Sequence, residues 1–147
     1  MPFADNFPLI RLVELANRAM QADMVREAHE RGYTEVKYAH NAVFGFLGEA
    51  GARASEMAER AGMTRQSMGE IIRDLVDLGV LEMRPDPTDR RAKVVFYTPK
   101  GLALTTGGHE YIVGLEKRFA EEFGAEQYQQ LRAALVRITE LVSARDQ

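Results

Sequence analysis

Arg90, Arg91 and Lys93 crowd one short run of a 147-residue chain. The run lies between Pro85-Asp86-Pro87 and the β-rich stretch Val94 to Tyr97, which stops at Thr98-Pro99. Residues 84–101 hold five basic and two acidic side chains, although the whole chain carries a net charge of -3. Cations packed on the tip of a hairpin are suited to a polyanion, because several ammonium and guanidinium groups can reach neighbouring phosphates or enter a narrow, electronegative groove. The rest of the positive charge is diluted: residues 1–52 and 102–147 each hold five basic against seven acidic side chains.

A second constellation precedes the hairpin. Ala58, Gly62, Met68 and Ile71 follow A-x3-G-x5-M-x2-I. A small residue lets two helices approach closely, a glycine permits the positive φ of a tight turn, and apolar residues lock the inner face of the second helix. Met68, Ile71, Ile72 and Leu75 form that inner face. Arg65, Gln66, Gly69, Glu70 and Arg73 point away from it and cluster near the helix N-terminus, the end that reads base edges in this type of motif. Gln suits adenine, Arg suits guanine, and Glu70 can accept from cytosine N4. Glu70 is equally placed to pair with Arg73 or to repel phosphate.

Elements that would position these residues follow from periodicity and punctuation. Leu9, Leu12, Val13, Ala16, Met20 and Met24 predict a helix from Leu9 to about Arg31, stopped by Gly32. Thr34 precedes a predicted helix over Glu35 to Glu49, carrying Val36, Ala39, Val43 and Phe46/Leu47. A short helix is expected from Arg53 or Ser55 to Ala61, and another from the N-cap Thr64 to about Leu78, with Gly79 beyond its end. Strands are expected over Val80 to Arg84 and Lys93 to Thr98, joined by a Pro-Asp-Pro loop, because proline cannot donate to a ladder. Pro99 opens a helix to about Phe123, in which Gly107-Gly108 signals a bend or a close contact. In the last helix, Ala125 to about Ala144, Tyr128, Leu131, Leu135, Ile138 and Val142 step by three and four like a coiled-coil seam. The fold class is mainly α with a small β-hairpin: a helix-turn-helix plus hairpin between helical ends whose apolar stripes call for a second copy of the chain.

Composition narrows the chemistry. At 46% hydrophobic and 28% charged residues the chain can build a core. It has no cysteine, which removes disulfides, zinc thiolates and thiol redox sensing. His29, His40 and His109 do not share an i, i+4 spacing, so no metal site is expected, and no cofactor. There is no apolar run long enough for a membrane span and no signal-peptide pattern, so a cytoplasmic location is expected. A G-x-S-x-G elbow, a phosphate-binding glycine loop and a cysteine nucleophile are all missing, so catalysis is not expected.

The run SEMAERAGMTRQSMGEIIRDLVDLGVLEMRPDPTDRRAKVVFYTPKG resembles the winged helix-turn-helix core of the MarR family of bacterial transcription regulators. Its most specific part is the wing pattern D-x-R followed by an apolar strand and T-x-x-G, here Asp89, Arg91, Thr98 and Gly101. The resemblance implies one MarR-like domain over 1–147, with a DNA-binding lobe over 34–101 and a helical dimerisation region over 1–33 and 102–147. It implies a homodimer on a pseudo-palindromic double-stranded DNA operator, often a repressor released by a small aromatic ligand. Carried onto this chain, Thr64, Arg65, Gln66, Ser67, Gly69, Glu70 and Arg73 are the recognition-helix candidates. Arg84, Asp89, Arg90, Arg91 and Lys93 are the wing candidates, with Arg91 entering the minor groove and Asp89 orienting it. The backbone near Ser55 would meet phosphate.

Leu9, Leu12, Val13, Leu131, Leu135, Ile138 and Val142 are candidate dimer contacts. Arg18, Tyr38, His40, Phe44 and Tyr111 are candidate ligand-binding residues, since an Arg with aromatic neighbours suits a carboxylate or phenol. The alternative is a winged-helix module that binds protein and not DNA; the cationic wing and the polar outer face of Arg65 to Arg73 argue against it.

Overall fold

A computed structural model describes residues 5–146 and divides the chain into two compact units, one ending at Gly108 and one beginning at His109. The first unit opens with α1 (Leu9–Glu30), followed by a 3-10 turn (Tyr38–His40) and the single-turn α2 (Asn41–Phe44). The predicted long helix over 35–49 is thus reduced to its middle. Val36, Val43 and Leu47 are still buried, Val43 from α2 and the other two from irregular segments on either side.

Strand β1 (Ala52–Arg53) leads into α3 (Ala54–Ala61), and α4 (Arg65–Asp77) follows after a short turn. Gly62 takes φ +66° in that turn, as the glycine in the pattern requires. The Thr64 hydroxyl accepts the Ser67 N–H at 3.0 Å and caps α4, a contact worth about 1 kcal/mol. Met68, Ile72 and Leu75 are fully buried against Met57, Ala58 and the sheet, while Ile71 is only half-buried.

The hairpin is longer than expected. β2 (Leu81–Asp86) and β3 (Asp89–Tyr97) pair antiparallel, with Leu81 opposite Tyr97 and Met83 opposite Val95. Pro85 and Asp86 therefore belong to the strand and not to a loop; only Pro87 and Thr88 lie between the strands. Proline is tolerated there because the strand order is β1-β3-β2, which leaves β2 at an edge, and the register shifts between Pro85 and Asp86. β1, a strand the sequence pattern did not announce, adds to the other side of β3 through Ala52 and Arg53.

Asp86 closes the hairpin from within. It is 8% exposed at an otherwise exposed tip. One carboxylate oxygen accepts the Thr88 N–H at 2.8 Å and the Thr88 hydroxyl at 2.7 Å. The other accepts the Arg53 Nε–H at 2.8 Å and lies 2.6 Å from a terminal guanidinium nitrogen of the same residue in an ion pair. The two Thr88 hydrogen bonds, then Arg53, hold the carboxyl at about 2, below its ordinary range.

The end of the hairpin is joined to α5 (Pro99–Phe123) by Thr98 and Gly101. The Thr98 N–H donates to the Val80 carbonyl at 3.1 Å, and its hydroxyl donates to the Gly79 carbonyl at 2.5 Å. The same hydroxyl oxygen accepts the Gly101 N–H at 3.1 Å. A Cβ on Gly101 would lie 2.1 Å from the Val80 oxygen, so only glycine fits. This gives the T-x-x-G pattern a physical cause.

α5 is helical through Gly107 and Gly108. Gly107 makes room for a side chain: a Cβ there would overlap the Arg31 guanidinium, which donates to the Leu104 carbonyl and pairs with Glu27 at 2.7 Å.

In the second unit the rest of α5 is followed by α6 (Ala125–Ser143) and a final 3-10 turn (Ala144–Asp146). Tyr128 is buried and donates its hydroxyl to Glu116 at 2.8 Å; Arg132 pairs with the same carboxylate and lies against the Tyr128 ring. Leu131, Leu135, Ile138 and Val142 are exposed along α6, and Val142 reaches 64%. No helix among the described residues is long and apolar enough to cross a membrane.

Two outcomes follow from these contacts. Gly101→Ala should destabilise the protein by about 3 kcal/mol, since the added methyl meets backbone and not a movable side chain; urea denaturation measures it, and a loss under about 0.5 kcal/mol would contradict the close contact. Asp86 has a lowered pKa, so its contribution to stability is complete above the ordinary carboxylate value and disappears as pH falls towards about 2. In an NMR titration the Thr88 amide resonance should shift with a midpoint near about 2; a midpoint near about 4 would rule out the hydrogen-bonded tip.

Candidate nucleic-acid interface

The outer face of α4 carries Arg65, Gln66, Ser67, Glu70 and Arg73, all exposed, with Gly69 half-buried among them. They occupy the first turns of a helix whose opposite face is fully buried, so the helix is fixed by its core while its polar side stays open. Glu70 and Arg73 form no ion pair with each other or with any other described residue. Thr64 is engaged as the cap: its hydroxyl accepts the Ser67 N–H and donates to the Ser67 hydroxyl at 2.9 Å. Ser55, the second residue of α3, is half-buried.

At the wing, Arg90, Arg91 and Lys93 are exposed and have no acidic partner among the described residues. Asp89 does not hold the Arg91 guanidinium. Its carboxylate accepts the Arg91 backbone N–H at 3.0 Å, so it shapes the turn and leaves the side chain free. The reason is geometric: two residues on, the backbone amide is within reach of an Asp side chain, as in any Asx turn. Arg84 is more constrained than the tip. It donates to Glu82 and stacks over Phe96, 4.5 Å from the ring centre.

Two residues not singled out by spacing hold this surface together. Arg53 leaves β1 and reaches Asp86, joining the start of α3 to the wing. Asp74, on α4, accepts from His40 Nε2 at 2.5 Å and lies 3.8 Å from the Lys37 ammonium. His40 is 1% exposed, and its Nδ1 accepts the Lys37 backbone N–H at 3.0 Å. A neutral imidazole that accepts at Nδ1 carries its proton on Nε2, which fixes the tautomer and makes His40 a clamp on α4. That hydrogen bond, with Lys37 nearby, keeps the Asp74 carboxyl below its ordinary value.

The remaining candidates are dispersed. Arg18 is exposed and paired with Glu14 at 2.7 Å, Tyr38 is exposed, and Phe44 packs against the core. Tyr111 belongs to the second unit, and its buried hydroxyl has no partner among the described residues. A cavity of about 130 Å³ in the first unit is lined by Gly32 to Val36, Leu78, Val80 and Lys100, and by none of these candidates. No group of three or more His, Cys, Asp or Glu among the described residues is placed to hold a metal ion.

Comparison with known proteins bears on this arrangement. Residues 36–92, from just before the 3-10 turn into the wing, match the family model described as "MarR family". Over 95 residues the chain is 29% identical to the HTH-type transcriptional regulator PetP of Rhodobacter capsulatus; the match takes in 65% of this chain and spans 56% of PetP. Among solved structures, the transcriptional regulator SlyA superposes with a TM-score of 0.77 at 17% identity, covering 94% of this chain and 96% of SlyA. The MepR–DNA complex of S. aureus superposes with a TM-score of 0.72 at 14% identity, covering 93% of this chain and 99% of MepR. At such identities the structural likeness establishes the fold. With α3 and α4 as the helix-turn-helix and β2 and β3 as the wing, the fold is a winged helix-turn-helix, and the segment that matches the MarR family model runs through both.

Proposed function

We propose that this protein is a homodimeric transcription regulator that binds a pseudo-palindromic site on double-stranded DNA. The observation that carries the reading is the pair of surfaces in the first unit: the open polar face of α4 and the cations Arg90, Arg91 and Lys93 at the wing, which have no acidic partner among the described residues. α4 fits the major groove, with Arg65, Gln66, Glu70 and Arg73 reading bases. The wing fits the flanking minor groove, where the guanidinium of Arg91 meets the strongest negative potential. The acidic balance of the chain does not oppose this, because its excess lies outside residues 53–101.

Dimerisation is supported by apolar side chains left in the open within each unit. On α1 these include Leu9 at 57% exposure, with Leu12 and Val13; on α6 they are Leu131, Leu135, Ile138 and Val142. A repeated apolar seam on α6 is what a second copy would cover. The reading extends to repression relieved by a small aromatic ligand, as the family resemblance implies, with Arg18, Tyr38, His40, Phe44 and Tyr111 as the candidates. His40 could take part only by giving up its bond to Asp74.

Footprinting on the DNA flanking its own gene tests binding and symmetry together: two protected half-sites related by a two-fold axis are expected, and no protection would overturn the reading. Arg91→Ala should weaken binding roughly tenfold and lower the salt slope by about 1, and undiminished affinity would remove Arg91 from the interface. Glu70→Gln should tighten binding to random-sequence DNA if the carboxylate acts by repelling phosphate; unchanged affinity there would leave base selection as its role.

A further inference from the structure

The three wing cations have no acidic partner among the described residues, so something else must fix where the hairpin presents them. The Asp89 carboxylate is bound to a backbone amide, while Arg84 is occupied by Glu82 and Phe96. The buried group at the tip is Asp86, which is held from two directions: by two hydrogen bonds from Thr88 inside the turn, and by one hydrogen bond and an ion-pair contact from Arg53 at the start of α3. Arg53 is itself held by strand pairing, opposite Val94 on β3.

Resting on the DNA-binding reading, we propose that Asp86 is the positioning residue of the wing. With Arg53 and Thr88 it locks the hairpin tip to the first helix of the helix-turn-helix, so that Arg90, Arg91 and Lys93 meet the minor groove in a fixed relation to α4. Asp86 touches no DNA in this arrangement; it acts through the turn it closes. A carboxylate next to a phosphate-binding surface would by simple electrostatics oppose binding. The proposal demands the opposite sign, which makes it testable.

The probe is a fluorescein-labelled duplex taken from the DNA that the wild-type protein protects in footprinting, titrated over a range of salt concentrations. Asp86→Asn removes a negative charge, yet should weaken binding roughly tenfold and lower the salt slope by about 1. Thr88→Val and Arg53→Lys leave the net charge unchanged and should shift affinity in the same direction, which keeps the test open if Asp86→Asn fails to fold by circular dichroism. In an Arg91→Ala background, Asp86→Asn should cost much less than it does alone, because the cation it positions is gone. Wild-type or tighter binding by the folded variants would overturn the proposal, as would fully additive losses with Arg91→Ala. Failure of the wild-type protein to protect any DNA would instead overturn the DNA-binding reading and the proposal with it.

Discussion

The contact between Gly101 and the Val80 carbonyl sets the geometry of the winged lobe. Val80 leaves the end of α4 and begins the hairpin, and Gly101 lies in the first turn of α5. With no side chain between them, Thr98 can bind both Gly79 and Val80 and cap Gly101 at the same time. Three elements thereby share one junction: the helix that faces outward, the strand that returns from the wing, and the helix that leaves the lobe. Buried backbone groups must be paired, and this junction pairs them with one threonine. The wing can be long and exposed at its tip because its root is fixed.

A second anchor acts on α4 itself. His40 is almost wholly buried, yet both ring nitrogens have partners, so its burial carries no orphan polar atom. Its link to Asp74 joins the 3-10 turn to the last turn of α4. An apolar residue at position 40 could fill the volume but would leave the Lys37 amide without its acceptor and Asp74 with only the Lys37 ammonium, and a polar group without a partner costs more than the bond itself contributes.

Local signals in the sequence were enough for α4, α5 and α6. Thr64 caps the first, Thr98-Pro99 opens the second, and the three-four stepping from Tyr128 to Val142 marks the third. They were not enough where a few long-range contacts override periodicity. Val36, Ala39, Val43 and Leu47 read as one helical stripe, but only Asn41–Phe44 forms α-helix, and Val36 and Leu47 are buried from irregular segments. β1 has two residues, too few for any alternation to show. Asp86 sat in a Pro-Asp-Pro run that resembled a loop because its partner Arg53 is 33 residues away. At the candidate interface, residue types and faces were legible on α4 and at the wing tip. The carboxylate that organises the wing was not, because Asp89 stands in the family pattern and Asp86 is identified by its burial.

The edge position of β2 has a consequence for assembly. An open strand edge offers unpaired amides to any other extended chain and invites association through the sheet. On β2 that edge carries Pro85, which lacks an amide hydrogen, together with the charged pair Glu82 and Arg84 and a register shift at Pro85/Asp86. These features make the wing a poor template for strand addition, so copies crowded on one stretch of polyanion would be kept from zipping together through their hairpins.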